Sequence, residues 1–112
     1  MDTRDEMLTV PETAEALGMP VTKVHQLLRD GLLVGVRNDA NVRCVPAAFV
    51  QDGAVVKALP SVITQLRDAR YADDEIVDWL FRADDSLPGA PIDALRENRG
   101  TEVKRRAQVA GY

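Results

Sequence analysis

The fifteen residues TAEALGMPVTKVHQL, at positions 13–27, predict two short helices separated by a tight turn. Pro11 precedes them and suits the first turn of a helix, because the N–H that proline lacks would have no intrahelical acceptor there. Gly18 has no Cβ and therefore suits the left-handed residue that ends a helix. Ala14 supplies the small residue that is needed where two helices cross at a steep angle. This spacing is the one that a helix-turn-helix requires.

The second helix is predicted over about 21–29. Val24, Leu27 and Leu28 have the i, i+3, i+4 spacing of a buried helix face. Gly31 is expected to end the helix. The side chains that remain on the outer side are those of a candidate recognition helix: Val21, Thr22, Lys23, Gln26 and Arg29.

A hairpin is predicted directly after the second helix. The runs LLVGVR, at 32–37, and VRCV, at 42–45, are apolar and partly alternating, and the polar residues NDAN at 38–41 join them. A helix-turn-helix followed by a two-stranded hairpin is a winged helix-turn-helix. The predicted fold is therefore mainly α, with a two-stranded wing and a C-terminal helical extension.

Two resemblances accompany these motifs. Residues 8–18, 24–31 and the wing that ends in Val45-Pro46 resemble the excisionase-type winged helix-turn-helix of small phage and bacterial DNA-binding proteins. The whole chain, including VVKALP at 55–60 and WLF at 79–81, is similar to a small actinobacterial family of winged helix-turn-helix DNA-binding proteins, one mycobacterial member of which is a substrate of the Ser/Thr kinase PknL. The resemblance implies double-stranded DNA as a partner, a role in transcription regulation, and a Ser/Thr kinase as a further partner. It carries over no phosphorylation site.

The net charge of -4 is unusual for a DNA-binding protein, so the distribution of charge matters more than its sum. Residues 21–45 carry four basic and two acidic side chains, a net charge of +2 within an acidic chain. Phosphate neutralisation drives non-specific affinity for DNA. Binding is therefore expected to be modest and strongly salt-dependent.

Base reading in the major groove is assigned to three side chains of the second helix. Gln26 can make a bidentate contact with adenine, Thr22 can reach a base edge, and Val21 can touch a thymine methyl group. Lys23 and Arg29 are expected to contact phosphates, which set the register without reading sequence. The alternative is that these five residues are only the solvated face of a surface helix.

The wing at 37–43 is expected to contact the DNA backbone. Arg37 and Arg43 are predicted at its two shoulders, where they can straddle a phosphate or enter the minor groove. Asp39 at the tip opposes close approach to a phosphate. Charged hairpin tips also occur for solubility alone, so both interpretations of the wing stay open.

Other classes of function have little support in the sequence. The single cysteine, Cys44, has no partner for an internal disulfide and lacks the clustered ligands of a zinc site, and His25 has no second ligand, so no metal or other cofactor is expected. The acidic pairs Asp73-Asp74 and Asp84-Asp85 have no nucleophile beside them, and there is no glycine-rich phosphate loop, so the protein is not expected to be an enzyme. No apolar run approaches the length of about eighteen residues that a membrane-spanning helix needs, and the acidic first residues are unlike a signal peptide. A cytoplasmic location is expected.

The chain is predicted to divide into a winged helix-turn-helix domain at 1–50 and a C-terminal helical domain at 51–112 that packs on it. Pro60 is expected to open one helix of the second domain, and Asp73 to be the N-cap of the next. The other predicted features are a short helix at 47–50, a turn at 52–53, a short strand at 54–56, a loop at 84–91, and a last helix at about 92–110 that Gly100 weakens.

An alternative function depends on the C-terminal helices. The segment from Trp79 to Leu95 resembles the C-terminal module of a class of antitoxins, in which Trp-Leu is followed by Leu, Gly and Pro-x-x-x-Leu. That resemblance implies a protein-interaction module whose C-terminal helices bind a protein partner. Charged substitutions at Leu95 and Val103 are expected to abolish binding of such a partner. The negative net charge favours this alternative over DNA binding.

Overall fold

The computed structural model describes residues 6–82 and 89–110, and within these ranges the fold is mainly helical with two small sheets. The helices are α1 (Val10–Leu17), α2 (Val21–Arg29), α3 (Leu59–Asp68), α4 (Asp73–Phe81), α5 (Pro91–Arg96) and α6 (Gly100–Val109). The strands are β1 (Met7–Thr9), β2 (Val36–Arg37), β3 (Arg43–Pro46), β4 (Val50–Gln51) and β5 (Ala54–Val55). The predicted winged helix-turn-helix with a C-terminal helical extension is confirmed. Most of the loop predicted at 84–91 lies outside the described residues.

A capping box fixes the start of α1. The Glu12 N–H donates a hydrogen bond to Thr9 Oγ1 at 3.3 Å, and the Thr9 N–H donates to Glu12 Oε1 at 2.9 Å. Hydrogen bonds with Thr9 hold the pKa of Glu12 below its ordinary value. The bond from the Thr9 backbone has the larger effect, and the bond with the Thr9 side chain has the smaller one. The start of the helix was predicted from Pro11, whereas the Thr-x-x-Glu pattern around it is the local signal for this cap.

The two glycines that were predicted to end α1 and α2 are both left-handed, with φ of +65° at Gly18 and +75° at Gly31. In each case the residue after the glycine donates a backbone hydrogen bond across the last turn, from Met19 to Ala14 and from Leu32 to Leu27, both at 3.0 Å. This is the Schellman pattern, which favours glycine at the left-handed position. The predicted end of each helix is therefore confirmed.

The wing is the β2–β3 hairpin, and β1 adds a third strand to its sheet in the order β1-β3-β2. Strand β1 runs antiparallel to β3, with Leu8 opposite Val45, and was not predicted. Strand β2 is shorter than the run at 32–37 indicated, because Leu33 and Val34 are buried in irregular backbone before it. The predicted short strand at 54–56 is present as β5, which pairs with β4.

Two predictions for the C-terminal helices need correction. Asp73 is the first residue of α4 and not its N-cap, because its carboxylate pairs with Arg67 while the Ala72 N–H donates to Glu75 Oε1 at 2.9 Å. The last helix is two helices, and the left-handed Asn98, at φ +64°, lies between them.

Gly100 begins α6 and does not interrupt it. A Cβ at this position would lie 2.8 Å from the Cβ of Ala58, so the glycine allows α6 to pack closely against the start of α3. Gly100 was predicted to weaken the last helix, but it instead marks a close packing contact between two helices.

One hydrophobic core joins the two halves of the chain. Val24, Leu28 and Phe49 from the first fifty residues belong to the same buried cluster as Leu66 and Leu95. Leu27, which was predicted to be buried, is half-buried and packs against this cluster. The division into two domains at residue 50 stays a prediction.

Candidate nucleic-acid interface

The outer side of α2 is not covered by the rest of the described chain. Val24 is fully buried and Leu28 is buried with it, and successive residues of a helix are rotated by about 100°. The opposite side is therefore centred on Thr22, Gln26 and Arg29, all of which are exposed. None of these three side chains makes a hydrogen bond or ion pair with another described residue.

Of the two other predicted contact residues on α2, Lys23 is exposed on one flank of that side. Val21 is 38% exposed in the first turn, but it lies about 20° from Leu28 around the helix, so it is on the core-facing side and not on the outer side where it was predicted. His25 is also exposed, on the other flank. Helix α2 therefore presents two hydrogen-bonding side chains, Thr22 and Gln26, and two basic side chains, Lys23 and Arg29, to solvent.

The tip of the wing has a fixed shape that depends on Asn38. Its Oδ1 accepts hydrogen bonds from the backbone N–H groups of Ala40, at 2.9 Å, and Val42, at 3.0 Å. Its own N–H donates to the Val42 carbonyl at 2.9 Å, and its side-chain amide lies 3.5 Å from Cys44 Sγ. Asn41 adopts φ +61°, a left-handed conformation that asparagine tolerates well. The loop is therefore held in shape by its own hydrogen bonds.

The two wing arginines lie opposite each other, Arg37 on β2 and Arg43 on β3. Arg37 is exposed, and its Nη1 donates to the Asn41 carbonyl at 2.9 Å. Arg43 is half-buried and passes over Gly35, where an added Cβ would lie 3.6 Å from Arg43 Nε and 2.8 Å from the Cys44 carbonyl. Like charges on opposed strand positions repel each other, so a bound anion would stabilise the pair.

An acidic segment of α4 faces this arginine pair. A cleft, here called the wing cleft, is lined by Gly35, Val36, Arg37, Arg43, Asp73 and Asp74. Asp73 Oδ1 is 2.8 Å from Arg67 Nη1, whereas Asp74 forms no ion pair with a described residue. The carboxylates lower the positive potential around the wing. Sequence analysis did not anticipate this, because the two sides of the cleft are about thirty positions apart.

The described ranges contain no group of three or more His, Cys, Asp or Glu side chains arranged to hold a metal ion. In the same ranges, no helix combines the length and apolar character needed to cross a bilayer.

The uncovered side of α2, the left-handed glycine turn before it and the hairpin after it define a winged helix-turn-helix protein. Residues 1–50 match the family described as "DNA-binding protein Rv2175c, wHTH domain", and residues 56–111 match the "Rv2175c C-terminal domain of unknown function". The chain belongs to the Rv2175c family.

The similarity to Rv2175c extends along the whole chain. The chain is 40% identical, over 124 aligned positions, to the DNA-binding protein Rv2175c of Mycobacterium tuberculosis, and the alignment covers 100% of this chain and 85% of that relative. It also matches the NMR structure of Rv2175c with a TM-score of 0.87 and 41% identity, again over 100% of this chain and 85% of the other. The predicted membership of a small winged helix-turn-helix family is confirmed.

Proposed function

We propose that this protein binds double-stranded DNA and acts as a transcription regulator. The observation that carries the proposal is the uncovered surface of α2 centred on Thr22, Gln26 and Arg29, on the second helix of a helix-turn-helix. That helix enters the major groove in proteins of this class. The name of the relative Rv2175c, a DNA-binding protein, supports the same function here.

The residues of α2 divide by chemistry. Gln26 presents an amide that can donate to and accept from one adenine, Thr22 presents a hydroxyl to a base edge, and Val21 offers methyl groups to thymine. Lys23 and Arg29 neutralise phosphates on either side of the groove. The wing adds Arg37 and Arg43 as backbone contacts, from a loop whose shape is already set by Asn38.

The acidic charge of the protein limits this binding. The four proposed phosphate contacts are Lys23, Arg29, Arg37 and Arg43, and the last two share the wing cleft with two carboxylates. Affinity for random DNA therefore depends on few counterions and decreases as salt increases. Discrimination between sequences has to come from the side chains of α2.

The test is a salt series with a fluorescent random-sequence duplex, measured by anisotropy. Four phosphate contacts predict a slope of log affinity against log salt of about -3.6. Arg29→Gln should make the slope shallower by about one unit, whereas Arg105→Gln, the same change of charge at an exposed position of α6, should leave it unchanged. Absence of binding at low salt, or equal slopes for both variants, would refute the proposal.

The alternative of a protein-interaction module gains no support from the C-terminal helices. Leu95 is 2% exposed and Val103 is fully buried, so both contribute to the core of this chain and are not available to a partner. Part of the antitoxin-like segment, residues 83–88, lies outside the described residues. The expected Ser/Thr kinase partner stays a prediction.

A further inference from the structure

The side chain of Arg67, on α3, lies between the end of α2 and the start of α4. Its Nη1 is 2.8 Å from Asp73 Oδ1, on the first residue of α4. Its Nε and Cδ lie 3.4 and 3.7 Å from the position that a Cβ would occupy at Gly31, the residue that follows the capping residue of α2. One side chain of the C-terminal half therefore lies beside Gly31, just past the end of the candidate recognition helix, and pairs with the next helix of its own half.

The charges suit the helix ends that they adjoin. The guanidinium group of Arg67 lies near the C-terminal end of α2, where the helix dipole is negative, and the Asp73 carboxylate is at the positive N-terminal end of α4. The two side chains are only 34% and 40% exposed. Arg67 Nε is buried and has no hydrogen-bond partner among the described residues, so packing over Gly31 and the pair with Asp73 together fix the guanidinium.

Helix α4 continues this connection to the wing. Asp73 and Asp74 line the wing cleft together with Arg37 and Arg43. The path from α2 to the wing therefore has three steps: the packing of Arg67 beside Gly31, the ion pair between Arg67 and Asp73, and the cleft that Asp73 shares with the wing arginines. A winged helix reads DNA with both elements at once, so their relative orientation determines which duplexes fit both.

We propose that Arg67 is a positioning residue for DNA reading, which sets the orientation of α2 relative to α4 and the wing through Gly31 and Asp73. This inference rests on the proposed function. It assigns part of sequence discrimination to a residue of the C-terminal half that need not touch DNA.

The first variant is Arg67→Met, which keeps most of the apolar stem over Gly31 and removes the ion pair. The probes are the duplex that the wild-type protein selects most strongly from a random pool and a random duplex of the same length. Arg67→Met should lower the ratio of the two affinities by about 3- to 10-fold. Arg70→Gln, which removes one exposed charge just beyond the end of the same helix, should leave that ratio unchanged.

The second variant, Asp73→Asn, separates positioning from a direct phosphate contact, because it frees the charge of Arg67 without removing it. Positioning predicts a lower affinity ratio and altered amide chemical shifts in the free protein at Gly31 and at residues 36–43. An unchanged ratio of the two affinities, together with unchanged shifts, would overturn the inference. Failure of the wild-type protein to select any duplex would refute the proposed function itself, and the inference with it.

Discussion

The outer side of α2 and the wing offer similar chemical groups to a duplex, but the protein holds them differently. Thr22, Gln26 and Arg29 make no hydrogen bond or ion pair with another described residue. In the wing, Arg37 is bonded to the Asn41 carbonyl, and both arginines face carboxylates across a cleft. The helix surface is therefore free to adapt to base edges, whereas the wing has a preset shape and a lowered positive charge. We expect the helix to supply discrimination and the wing to supply placement.

The largest effect is expected for Gln26→Ala. Loss of a bidentate amide contact should reduce discrimination at one base pair by about 1–3 kcal/mol. Arg29→Ala should weaken binding to every duplex about equally, because a phosphate contact carries no sequence information. Affinities for a set of duplexes that differ by single base pairs measure both effects. Identical sequence profiles for the two variants would contradict the division of roles on α2.

A smaller effect is expected for Asn38→Ala, which tests whether the wing is preorganised. Its side chain accepts two backbone hydrogen bonds, so its loss should lower the free energy of unfolding by about 1–2 kcal/mol. DNA affinity should also decrease, because the tip of the wing loses its fixed shape. Asp39→Ala, at the neighbouring exposed position, is the control in urea unfolding and should change stability little. Equal stabilities for the two variants would show that Asn38 does not hold the tip.

Asp74→Asn should strengthen DNA binding by about 2- to 5-fold, because it removes one carboxylate from the wing cleft without altering the arginines. Glu97→Gln makes the same change of charge at an exposed residue outside that cleft and should strengthen binding less. Anisotropy titrations at low salt compare the two variants. If both variants have the same affinity, the carboxylates in the cleft do not specifically weaken DNA binding by the wing arginines, and only the net charge of the protein matters.

The smallest effect concerns a residue outside both surfaces. The lowered pKa of Glu12 means that folding favours its ionised form. Its contribution to stability is present above the pKa of the unfolded chain and is lost as the pH falls through the lower pKa of the folded protein. Glu12→Gln should therefore flatten the fall of the melting temperature on acidification, while DNA affinity at neutral pH is unchanged.

Glu15→Gln, on the same helix but outside the capping box, is the control for that measurement. If the melting temperature of Glu12→Gln depends on pH as that of the wild-type protein does, the capping box contributes nothing to acid sensitivity.

The helix-turn-helix could be predicted because its signals are local. Gly18, Gly31 and the apolar spacing around Val24 lie within one short stretch, and the structure has α2 over the predicted residues. Strand β1 could not be predicted, because its three residues become a strand only by pairing with β3, far along the chain. The prediction of Asp73 as a helix cap was wrong because its carboxylate pairs instead with Arg67, a contact that no local pattern encodes.

The candidate interface divides in the same way. The outer side of α2 follows from helical periodicity alone. The wing cleft brings together residues near 36 and near 74, and the position of Arg67 over Gly31 joins residues equally far apart in sequence. Such placements depend on how α3 and α4 pack on the winged half, and no local pattern encodes that packing.

The most direct test of the account is an amide chemical-shift titration of the labelled protein with duplex DNA. The amides of residues 21–29 and 37–43 should shift first and most, with Gln26 and Arg29 among the largest changes. Shifts confined to α5 and α6, with α2 unaffected, would contradict it.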